Sequence, residues 1–104
     1  MEPQFVYITT GSMEEARAIG HELVTARLAA CVNLISPMRS IYVWEGAIQE
    51  DEEIVLIAKT RAGLLSSLVE KVSSMHSYEC PCIVSLPMCG GNPDFLDWIT
   101  DTVA

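Results

Sequence analysis

LAACVNLISPMRSIYVWEGAIQEDEEIVLIAKT, residues 28–60, decides how this chain folds. Two extended segments, Ser40–Trp44 and Ile54–Thr60, meet through Glu45-Gly46, and neither alternates apolar with polar. Ile41-Tyr42-Val43-Trp44 and Ile54-Val55-Leu56-Ile57-Ala58 place apolar groups on both faces of a strand. An antiparallel sheet in a small domain normally packs one face and wets the other. Strands that are apolar on both sides need cover on both sides. The helices of so short a chain suffice for one, so the second cover is expected from further copies of the same protein.

Working outward, Phe5–Thr10 is a short β-rich run that reads as a buried strand. Ser12 and Glu15 have capping-box spacing, and behind them Ala16, Ile19, Leu23 and Ala26 recur at helical intervals, predicting a helix over about 13–28. Cys31–Ile35 is extended. Pro37 lacks a ladder donor and marks a bulge, a bend or an edge before the strand resumes at Ser40. The acidic run Glu50-Asp51-Glu52-Glu53 reads as a solvated turn. Leu65, Leu68, Val69 and Val72 form the stripe of a second helix over about 62–75. Cys82–Leu86 is a fourth strand, and Asn92-Pro93 starts a short C-terminal helix with Asn as cap and Pro at its first position. The order β-α-β-β-α-β plus a helix predicts a single α+β domain over 1–104, a ferredoxin-like plait with an antiparallel sheet.

Composition narrows the function. The 104 residues are half hydrophobic and carry fourteen acidic against six basic side chains, a formal charge of −8. Such a surface repels duplex nucleic acid and anionic membranes, so neither is an expected partner. The N-terminal residues show no secretory pattern and no apolar run approaches a membrane span, which makes the cytoplasm the expected compartment. Cys31, Cys80, Cys82 and Cys89 are then expected as free thiols.

Several spaced motifs now carry a resemblance. Leu28–Asn33, Arg39–Gly46, the acidic Ile48–Glu53 stretch, Lys59-Thr60, His76–Pro81 and Gly91–Trp98 together resemble the divalent-cation tolerance family CutA over nearly the whole chain. The resemblance implies a PII-like homotrimer of ferredoxin-like subunits joined by strand pairing, with a role in tolerating divalent metals, copper above all, and no catalytic activity. It also implies copper ligands at positions that here hold Thr9 and the pair Met75-His76, so only His76 remains as an imidazole. Met75 offers a thioether to Cu(I).

The residues themselves suggest two sites. Cys80-Pro81-Cys82 puts two thiols on one side of an extended chain. With His76 and Met75 they make a candidate set for copper or another soft or divalent metal. Against this, free cysteines are small core residues, Met75 continues a helical apolar stripe, and His76 stands where an imidazolium caps a helix dipole. Tyr42, Trp44 and Tyr78, with Glu53 and Lys59, form the second candidate, a small-molecule cleft between subunits; the aromatics would equally fill an oligomer interface. Enzymes of similar fold are disfavoured. The loop Thr9–Met13 lacks the arginine that an acylphosphatase needs and the C-x-x-C of a copper chaperone.

Overall fold

A computed structural model describes residues 2–104. The elements run β1 (Pro3–Thr10), α1 (Met13–Thr25), β2 (Cys31–Trp44), β3 (Ala47–Arg61), a single 3₁₀ turn (Ala62–Leu64), α2 (Leu65–Met75), β4 (Ile83–Pro87) and α3 (Pro93–Thr102). All pairings are antiparallel and the sheet order is β2-β3-β1-β4, the plait that the element order predicts.

Residues that pair directly across strands share a face. Val6 and Ile8 stand opposite Ala58 and Leu56, and these four meet Ile19 and Leu23 of α1 and Leu68 and Val72 of α2. Every one of the eight is at most 1% exposed, so this is the core. A second cluster packs Ile99 of α3 and Val103 just after it on Ala30, with Leu64, Met88 and Leu96 around it. The end of the chain is tied down as well. Ala104 N–H donates to the Arg27 carbonyl at 2.9 Å, and Arg61 donates twice to the Ala104 carbonyl oxygen, at 3.1 and 2.6 Å.

On the sheet's other face no helix among the described residues buries Ile35, Val84 or Leu86, which remain 50%, 54% and 59% exposed. The central strand nevertheless buries both its faces near the middle, Val55 at 6% and Leu56 at 0%. Beyond Met38 and Glu53 the β2–β3 hairpin continues as an arm paired only with itself. It lengthens the chain to 44 Å against 25 and 22 Å in the other directions. Its apolar residues are bare: Ile41, Val43 and Ile48 are 69–77% exposed, and Tyr42 and Trp44 about 40%.

Two local expectations change, and a third narrows to one of its alternatives. The acidic run does not turn. Asp51–Glu53 are strand residues paired with Ser40–Met38, and the turn is the two-residue Glu45-Gly46 loop, with φ of 49° and 80°. Such positive values are what a type I′ hairpin requires. Of the bulge, bend or edge expected at Pro37, the bulge is what forms: β2 runs on through it, with the register shift between Ile35 and Met38. The capping box is half formed. Ser12 Oγ accepts from the Glu15 amide at 3.2 Å, but the Glu15 carboxylate turns to the Ser77 amide at 2.9 Å.

Candidate functional site

The loop from His76 to Cys82 crosses the open end of the sheet, and its anchors define the site. His76 ends α2, yet its ring leaves the helix: Nε2 donates to the Thr9 carbonyl of β1 at 2.7 Å, and Nδ1 accepts from the Tyr78 amide at 3.1 Å. A carbonyl can only accept, so this pattern assigns the ring proton to Nε2. Tyr78 packs on that imidazole, with ring centroids 4.7 Å apart. Its hydroxyl donates to Glu53 Oε2 at 2.9 Å, and a Cβ on Gly11 would come within 3.1 Å of the Tyr78 hydroxyl oxygen. A side chain at position 11 would thus press on the tyrosine where it passes the β1–α1 loop. The loop closes where the Thr9 amide donates to the Cys82 carbonyl at 3.4 Å.

Glu53 is 8% exposed although it belongs to the acidic run. Burial, and next the Glu53 carboxylate, hold the Tyr78 hydroxyl well above the ordinary phenol range. On the arm Tyr42 donates to Asp51 at 2.5 Å, which likewise raises its pKa. Between loop and arm lies a cleft of about 670 Å³. Tyr7, Thr9, Met38, Tyr42, Trp44, Glu53 and Tyr78 line it, as do Glu79, Cys80 and Cys82.

Four of the five cleft candidates, Tyr42, Trp44, Glu53 and Tyr78, therefore come together. Lys59 does not join them. It lies six residues along β3 from Glu53, opposite Cys31 and Phe5, and its ammonium donates to Asn33. Met38, Tyr7 and Glu79 are lining residues that the sequence reading missed. The first was legible: the two-residue turn at Glu45-Gly46 sets the hairpin register and puts Met38 opposite Glu53. The Glu53–Tyr78 bond joins residues 25 apart and had no local signal.

The metal candidates separate. Met75 packs against the main core, and both nitrogens of His76 already have partners, so this pair does not present itself to an ion. Thr9 is 6% exposed and contributes backbone contacts. Among the described residues no three His, Cys, Asp or Glu side chains converge on a common point. The residues implied by family resemblance thus do not fit a preformed divalent site within one chain. Cys80, Cys82 and Cys89 are free and exposed and not the core residues that cysteines often are, while Cys31 is half-buried.

Residues 4–102 match the sequence model of the family described as "CutA1 divalent ion tolerance protein". The chain belongs to the CutA1 family. The divalent-cation tolerance protein CutA of Archaeoglobus fulgidus is 44% identical over 99 residues, covering 95% of this chain and 96% of its own. The solved divalent cation tolerance protein of Thermus thermophilus superposes with a TM-score of 0.96 at 42% identity, over 98% of this chain and 99% of its own. The CutA1 structure from Oryza sativa gives 0.97 at 36% identity, over 100% and 95%. The CutA1 fold and family are thereby established for this chain. No helix among the described residues is long and apolar enough to cross a membrane.

Proposed function

We propose that this CutA1 protein works as a homotrimer in the response to divalent metal ions, copper among them, and that it does so as a binding protein without catalytic activity. The bare arm carries this reading. Ile41, Val43 and Ile48 line one side of a hairpin that no part of the same chain covers, with Tyr42 and Trp44 on the other. Burying an aliphatic side chain of that size contributes about 1.5–3 kcal/mol. A monomer forgoes this on both sides of the arm, whereas neighbouring subunits can recover it. The metal half rests on the relatives, which are named for divalent-cation tolerance, and on a charge of −8 that concentrates cations. Four free thiols, three of them exposed, favour a reducing compartment such as the cytoplasm.

Light scattering on purified protein is expected to give about three times the 11.4 kDa chain mass, with no fall on dilution to the micromolar range. A stable monomer would sink the trimer. Calorimetry with Cu(II) and Zn(II) is expected to give saturable binding that His76→Ala leaves unchanged; absence of binding would remove the metal half.

The cleft favours a second reading, a PII-like sensor that takes a small ligand between subunits. A cavity of about 670 Å³ holding one nearly buried carboxylate among aromatic rings has the make-up of a ligand site. A compound that raises the melting temperature of wild type but not of Glu53→Gln would support it.

A further inference from the structure

We propose that Cys80, Cys82 and Met38 form a sulfur site for Cu(I) in the cleft, separate from any divalent-ion site. The proposal deepens the metal half of the reading above.

Pro81 sits between the two thiols and lacks a backbone donor. Its ring fixes its own φ and biases Cys80 towards an extended conformation. In the structure the chain bends at Cys80 and runs on through Cys82 into β4. Both cysteines line one cleft, and neither is in a disulfide. The segment that carries them is held at both ends, by His76 and Cys82 on the two backbone groups of Thr9, with Tyr78 pinned to Glu53 between. Across the cleft stands Met38, whose Sδ is met only by the Ser40 hydroxyl at 3.4 Å.

Other donors are spoken for. His76 spends both nitrogens on the backbone, Met75 is in the core, and Glu53 is bonded to Tyr78. What the cleft offers a soft ion is two thiols and a thioether, beside the Glu79 carboxylate. Soft donors of this kind select Cu(I), whereas Zn(II) asks for four ligands and finds no third His, Cys or carboxylate converging here. Glu53 and Glu79 add negative charge around the entering cation, and Arg39, which also lines the cleft, is drawn to Glu50 at 3.7 Å.

The balance is simple. Two S–H bonds break, two Cu–S bonds form, two protons pass to solvent, and copper stays in its +1 state. The resulting dithiolate–copper unit carries one net negative charge, and Met38 adds a neutral third donor.

The test uses the full chain in its native assembly, reduced and anaerobic, with Cu(I) supplied as its bicinchoninate complex. Wild type is expected to withdraw one Cu(I) per chain. Cys80→Ser and Cys82→Ser should each weaken binding by at least about 100-fold, the upper end of what losing even an outer-shell partner costs a metal site. Cys89→Ser should leave it unchanged. Without any substitution, Cu(I) should slow iodoacetamide labelling of Cys80 and Cys82 but not of Cys89, and Zn(II) at equal concentration should not. Undiminished uptake by either serine variant overturns the proposal, as does labelling of Cys80 and Cys82 that ignores Cu(I) or responds equally to Zn(II). A protein that binds Cu(I) but no divalent ion would keep this site and lose the divalent reading.

Discussion

Tyr78 joins more of the site than any other side chain: its ring lies on His76, its amide donates to that imidazole, and its hydroxyl holds Glu53. Tyr78→Phe leaves a carboxylate that is 8% exposed without its hydroxyl partner. A hydrogen bond to a charged group is worth about 1.5–3 kcal/mol, and the lower end applies because the tyrosine is itself 39% exposed. Alkali should expose the same contact. The folded-state pKa of Tyr78 is raised above the ordinary 10.0, so the folded chain keeps a proton that the unfolded chain gives up. That stability is complete below pH 10 and is lost as pH climbs above it. Urea midpoints at pH 8 and pH 11 should therefore fall further for wild type than for Tyr78→Phe; an equal fall would show that the hydroxyl is ordinary.

Among the elements, those with a period were legible in the sequence. The 3.6-residue recurrence through Ala16, Ile19 and Leu23 gave α1, the stripe Leu65–Val72 gave α2, and Asn92-Pro93 gave the start of α3, where Asn92 Oδ1 accepts from the Asp94 amide at 3.1 Å. The acidic run misled because four adjacent carboxylates look like solvent-facing turn, while a strand edge in an arm is just as wet. Glu45-Gly46 is the real turn, and there the backbone sets the cost of change. Gly46 has φ of 80° and open space where a Cβ would stand, so Gly46→Ala meets no clash and isolates the conformational term. A left-handed backbone costs an L-residue roughly 1–2 kcal/mol. Chemical denaturation of the variant should show a loss of that size; no loss would mean that the hairpin tip re-forms with another turn.

At the scale of the whole molecule, two-sided apolar strands announced an arm whose apolar residues its own chain leaves exposed. The site was less legible. Glu53, Tyr78, Met38 and the two thiols come from β3, the 76–82 loop and β2, and only the tertiary fold superimposes them. Ile41→Lys combined with Val43→Lys tests the arm directly. Far-ultraviolet circular dichroism should be retained, because Val6, Ile8, Leu56 and Leu68 form a core that includes neither position. Light scattering should fall to the monomer mass. An unchanged mass would take the arm out of the interface.

The bulge between Ile35 and Met38 has an effect well beyond its own position. From Ile35 to Met38 β2 advances three residues while β3 advances two, from Val55 to Glu53. A strand's side chains alternate with period two, so the extra residue is a phase shift. Before it the odd positions Asn33 and Ile35 lie on the side of Val55; after it the even positions Met38, Ser40, Tyr42 and Trp44 lie on the side of Glu53. Pair the same residues without the bulge, and Ile41 would stand opposite Gln49 and Val43 opposite Ala47, where the two aromatics now stand. Two aliphatic side chains would then face the loop in place of two rings. Which chemistry this cleft displays is thus set by counting, at Ser36 and Pro37, neither of which lines it.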